Sequence, residues 1–70
     1  MSNVLIEALR KRYEGEIAAA VANIHVYVSN PIGIGDHPDL VGAMDAQVAV
    51  LCNAQDKLNA LDEHFPRDTF

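Results

Sequence analysis

Apolar and polar positions recur along this chain in two stretches, each with a period close to that of an α-helix. In the first, Ile6, Leu9, Tyr13, Ile17, Ala20, Ile24 and Tyr27 follow one another at steps of three and four, the spacing that gathers side chains on one helical face. The steps run 3, 4, 4, 3, 4, 3, so one departs from a strict heptad and predicts a helix pair that is locally straight, not a long regular supercoil. In the second stretch, Leu40, Met44, Val48, Leu51, Leu58, Leu61 and Phe65 mark an inner stripe. Asp45, Cys52, Asp56, Asn59 and Glu63 lie along the opposite side, with Ala49 among them. Residues 17–28, "IAAAVANIHVYV", also admit a strand because their end alternates and is β-branched. The alanine run and the lack of any partner strand favour helix.

The pattern predicts an all-α, antiparallel helical hairpin in one domain over 1–70. It has a helix over about 3–29, a turn over 30–36, a second helix over about 37–64 and a frayed tail over 65–70. Ser2 or Asn3 supplies a side-chain oxygen to cap the first helix. Gly15 falls inside it at a cost of roughly 1 kcal/mol relative to alanine, either for a close backbone contact or as a tolerated residue. Asn30 before Pro31 is pushed out of helical geometry and ends the helix. Gly33 and Gly35 are free to take positive φ and reverse the chain. Asp36 or His37 is then the expected N-cap of the second helix, with Pro38 in its first turn and Asp39 adding negative charge at the positive end of its dipole. Pro66 stops that helix.

Folding back juxtaposes Ala18, Ala19, Ala20 and Ala22 with Ala46 and Ala49, small residues that suit close helix axes. It also brings Arg10, Lys11 and Arg12 towards Asp56, Asp62 and Glu63, at a gain of about 0–1 kcal/mol per exposed pair. Val21 and Val28 extend the first apolar face, and Val41 and Val50 the second, beyond what one hairpin covers. The expected partner is therefore the chain itself, in a four-helix bundle dimer or a larger oligomer.

Seventy residues hold one small domain, and such domains usually need a disulfide, a metal or a partner chain. The single Cys52 excludes an intrachain disulfide; flanked by Leu51 and Asn53, it reads as a buried, inert thiol in a reducing compartment. The net charge of −5 argues against general binding to nucleic acid or to an anionic membrane. No apolar stretch is long enough to span a bilayer, and the opening residues have the reverse of a secretory signal's order. A cytoplasmic protein is expected.

The chemistry-bearing candidates are weak. Gly33-Ile34-Gly35 imitates the opening of a dinucleotide fingerprint, but the third glycine would fall on Pro38 and no βαβ unit fits. No Gly-Lys-Ser/Thr follows, so it is not a phosphate loop of the Walker type. Asp36, His37 and Asp39 cluster, with His25 or His64 as recruits, yet no metal-ligand spacing is present; His25 reads as an interface histidine. Ser2 and Ser29 have no paired base and acid, and Glu14 and Glu16 do not share a helix face. No constellation supports an enzyme, a metal or a cofactor. Arg10-Lys11-Arg12 reads as a solvated turn.

Stop, reversal and cap signals account for Asn30, Pro31, Gly33, Gly35, Asp36, Pro38 and Asp39. Ile32, Ile34 and His37 remain as candidate contacts with a partner. The alternative is a small-molecule or metal-binding module built on the Gly-rich turn and His37. Tyr13-Glu14, the run from Asn23-Ile24 to Val28 and above all Asn30-Pro31-x-Gly33-Ile34-Gly35-Asp36-His37-Pro38-Asp39 resemble a group of short proteins of marine T4-like phages, the cyanophage myoviruses. The resemblance covers residues 13–61. It implies a viral origin and a host-cytoplasm setting, with another phage or host protein as a conceivable partner. The group has no assigned activity, so the resemblance carries over no functional residue. From residues and resemblance together, the expected role is a non-enzymatic, homo-oligomeric helical assembly or adaptor protein.

Overall fold

The computed structural model describes residues 3–29 and 39–66. Helix α1 spans Val4–Ser29 and α2 spans Leu40–His64, and the two pack against each other. Arg10 reaches Asp62 at one end, while Asn23 Nδ2 donates to Gln47 Oε1 at 3.1 Å towards the other. The pairing is therefore antiparallel, a helical hairpin with no strand among the described residues.

The helix ends follow from local chemistry. Asn3 caps α1: its Oδ1 accepts from the backbone N–H of Leu5 at 3.0 Å and of Ile6 at 3.2 Å, filling two of the donors that a helix start leaves open. In the last turn of α1, Ser29 Oγ donates to the His25 carbonyl at 2.7 Å. The second helix begins later than the expected residue 37. Asp39 is its N-cap, with φ −123° and ψ 85°, and its side chain accepts from Gly42 N at 2.9 Å. A capping carboxylate satisfies an open N–H directly, where an acid inside the first turn would act only through the dipole. Asp39 thus takes the N-cap role expected of Asp36 or His37. At the other end Phe65 leaves helical geometry at φ −137° and ψ 60°, and its N–H donates to the Leu61 carbonyl, as expected of a residue before Pro66. Phe65, the first residue of the expected frayed tail, keeps that backbone hydrogen bond just beyond the helix. Residues 67–70 of that tail lie outside the described residues.

The two glycines inside the helices have opposite surroundings, and a matched pair of substitutions tests this. A Cβ at Gly15 meets nothing within 4 Å, so the tolerated-residue reading holds within the hairpin. Gly15→Ala is expected to stabilise by roughly 0.5–1 kcal/mol through helix propensity alone. A Cβ at Gly42 falls on the Asp39 carboxylate. Gly42→Ala gains the same propensity but displaces a cap worth about 1 kcal/mol, for a net change near zero. Urea melts in which both alanines stabilise equally would show that the Asp39 cap contributes nothing.

The inner stripe of α1 is as expected. Ile6, Leu9, Tyr13, Ile17, Ile24 and Tyr27 are half-buried and Ala20 is buried. On α2, Met44, Leu51, Leu58 and Leu61 are half-buried, while Leu40, Val48 and Phe65 at its margin stay more open. Of the small residues expected at the contact, only Ala20 is buried; Ala18, Ala19, Ala22, Ala46 and Ala49 are exposed. The close-packed residue on α2 is Ala54, with no exposure at all. Ala20 and Ala54 are the only fully buried apolar residues described, and no large side chain is fully enclosed. That is the geometric limit of two helices, since each shields one strip of the other and leaves its flanks to solvent.

Candidate functional site

The open end of the hairpin holds one densely connected polar group. Arg10 lies on the inner side of α1, four residues after Ile6 and three before Tyr13, and is only 2% exposed. Its guanidinium donates to the Asp62 carboxylate, to the Leu61 carbonyl at 3.3 Å and to the Phe65 carbonyl at 2.5 Å. Leu61 and Phe65 close the last turn of α2, so an arginine of α1 supplies donors to the carbonyl end of α2 that a helix leaves open. Glu7 Oε1 stands 3.7 Å from Nε, an ion-pair distance too long for a hydrogen bond, and Nε has no hydrogen-bond partner. Arg10 was expected in a solvated basic turn. Its buried position differs because the hairpin wraps its stem while the head meets acceptors on the facing helix.

This arrangement disperses the basic cluster. Successive helix positions are turned by about 100°, so Arg10 faces α2, Lys11 is exposed, and Arg12 Nε pairs with Glu16 Oε1 at 3.3 Å along α1. Lys57 Nζ sits 5.5 Å from the centroid of the Tyr13 ring, a cation–π geometry that ties α2 to α1 without forming a basic patch.

The other candidates take separate positions. Cys52 is exposed, contrary to the expected buried thiol; it follows Asp45 by seven residues and precedes Asn59 by seven, on the side of α2 turned away from the α1 stripe. His25 is exposed on α1 and His64 on α2 near the open end. Among the described residues no three His, Cys, Asp or Glu side chains converge as a metal site, and no pocket is found. No described helix is long and apolar enough to cross a membrane. Asn30, Pro31, Ile32, Gly33, Ile34, Gly35, Asp36, His37 and Pro38, the expected turn and partner contacts, lie outside the described residues.

What the described surface does offer is apolar area. Val28 is 66% exposed and Val41 81%, and Val21, Val26, Val48 and Val50 are exposed as well. These valines cluster in the half of the hairpin away from Arg10, where α1 reads as nearly continuous apolar sequence. The sequence pattern had marked four of them as surplus; Val26 and Val48 join the set because two helices leave their flanks uncovered. No family model matches the chain, and no curated protein or solved structure does.

Proposed function

We propose that the protein is a non-enzymatic helical assembly protein that works as a homo-oligomer, a four-helix bundle dimer or a larger ring of hairpins. One observation carries this reading. Half of the residues are hydrophobic, yet a single hairpin fully buries only two alanines among the described apolar residues. A core that small cannot offset the conformational entropy of ordering two helices, whereas pairing hairpins encloses the valine flanks as in helix bundles. The loop resemblance supports a phage origin and a role in the host cytoplasm. In that setting Ile32, Ile34 and His37, between the helices in sequence, would contact another phage or host protein.

Sedimentation equilibrium between about 1 and 100 µM tests the assembly, as this range brackets ordinary specific affinities. The expected result is a dimer or higher species whose melting temperature rises with protein concentration. A well-folded monomer throughout that range would overturn the reading.

A further inference from the structure

Each helix sets a polar side chain into the contact between them, and the two stand in opposite halves of the hairpin. The seam of α2 that faces α1 follows Leu40, Met44, Gln47, Leu51, Ala54, Leu58, Leu61 and Phe65, at alternating steps of four and three. It passes through Gln47 and not through its neighbour Val48. Gln47 is half-buried, and every other polar residue of α2 is exposed. Its Oε1 accepts from Asn23 Nδ2 at 3.1 Å. On α1 the enclosed polar side chain is Arg10, which donates to Asp62 and to the Leu61 and Phe65 carbonyls.

The apolar residues of the contact do not by themselves choose a register. Arg10 with Leu61, Tyr13 with Lys57 and Asn23 with Gln47 set Ala20 level with Leu51 and Ile17 level with Ala54. Each buried alanine thus has a large aliphatic residue opposite. Sliding α2 by one heptad, about 10 Å, towards the start of α1 would set Ala20 level with Met44, Tyr13 with Leu51 and Ile24 with Leu40. Small would still meet large, and seam would still meet seam. Residues 30–39, at up to about 3.3–3.6 Å each, are long enough to join the helices in either alignment. The polar residues are satisfied in only one of the two. In the slipped alignment Arg10 lies over Ala54, in the middle of α2, where each backbone carbonyl is already bonded to the N–H four residues on. Neutral Gln55 takes the place of Asp62, and Gln47 stands level with Ile17, away from Asn23.

We infer that Arg10 and Gln47 are register pins, which hold the hairpin in one of the helix alignments that its apolar seam allows. Arg10 works as an end-stop. Open carbonyls occur only in the last turn of a helix, so a guanidinium that bonds to them is satisfied only where α2 ends. The Asn23–Gln47 bond marks the same alignment from the other half. A polar residue in a helix seam acts this way in coiled coils, fixing register while lowering stability. The pins act within one chain, whether or not hairpins assemble. They select which outward residues of α1 and α2 stand side by side, and so the surface that any partner meets.

Distances between two nitroxide labels, measured by pulsed electron spin resonance, test the pins. The labels are carried by Ala19→Cys and Ala60→Cys, both at exposed positions, in a Cys52→Ser chain. Dilution into unlabelled chain restricts the signal to distances within one hairpin. With Arg10 and Gln47 intact, one distance is expected. Arg10→Met with Gln47→Leu is expected to stay helical by circular dichroism and to add a second, longer distance, as α2 shifts by about 10 Å along its axis. A helical double variant that keeps the single distance would overturn the pins, as would two distances with both residues intact. If the double variant loses its helices, Gln47→Leu alone decides. It is expected to melt higher than the wild type, because leucine buries more apolar surface in the seam while Arg10 still holds the register. A Gln47→Leu variant that melts no higher would make the Asn23–Gln47 bond an ordinary stabilising contact and overturn its role as a pin.

Discussion

Replacing Arg10 with alanine is expected to destabilise the hairpin by about 2 kcal/mol, within the range for hydrogen bonds to a charged group. The guanidinium is enclosed and serves three acceptors, two of them carbonyls at the end of α2. Its removal leaves those carbonyls to water and takes away the stem that fills the space between the helices. The ion pair itself is the smaller part, because the Asp62 side chain is 59% exposed and solvent screens it. Asp62→Asn is therefore expected to cost only about 0.5 kcal/mol. Arg10→Lys should resemble the alanine variant more than the wild type, since one ammonium does not reproduce a planar fork spread over several acceptors. Urea denaturation at one fixed protomer concentration checks the ranking. Equal losses for Arg10→Ala and Asp62→Asn would assign the effect to the ion pair alone and remove the capping role.

Enlarging Ala54 is expected to be the other severe change. Ala54 has no exposure, and its methyl group is the closest filler on the α2 side of the contact. Ala54→Leu adds a branched side chain where the helices have no room. The pair must separate or twist, at about 1–3 kcal/mol. Ala49→Leu makes the same chemical change on an exposed position of the same helix and should fall within about 0.5 kcal/mol of neutral. Thermal melts of the two variants at matched concentration separate a packing penalty from a propensity effect. If Ala54→Leu melts as high as Ala49→Leu, the contact around Ala54 is loose.

The comparison of pattern and structure shows which kinds of information a one-dimensional reading holds. The α1 stripe from Ile6 to Tyr27 was legible because every member obeys the helical period, and burial follows period. Asn3 and Pro66 were legible because caps and breakers act through adjacent backbone. The start of α2 was read three residues early because Asp36, His37 and Asp39 all belong to types found near helix starts, and only geometry selects among them. The alanines were misplaced for a related reason. Composition says that small residues permit close approach, but Ala18, Ala19 and Ala22 sit off the contact azimuth while Ala54 sits on it. Arg10 is the instructive case. Its spacing from Ile6 and Tyr13 already placed it on the inner side, yet its charge argued for solvent. What decided the matter was the facing Leu61 and Phe65 carbonyls, which no local pattern displays. Cys52 failed in the opposite direction: the helical pattern already set it on the polar side of α2 with Asp45 and Asn59, and the weight given to its residue type argued for burial against that pattern.

The Arg10 latch also sets how the hairpin yields to mechanical force. The start of α1 and the end of α2 lie at the same end of an antiparallel pair, so tension applied between them peels the helices apart in sequence and does not shear all contacts at once. The first hydrogen-bonded rung to be loaded, one turn inside Ile6, is Arg10 with Asp62, Leu61 and Phe65. Once it opens, the remaining half-buried rungs follow one by one towards the valine-rich half. Resistance to unzipping is thus concentrated in one residue near the pulling points, and a tether at either end transmits little strain to the far half until that residue lets go.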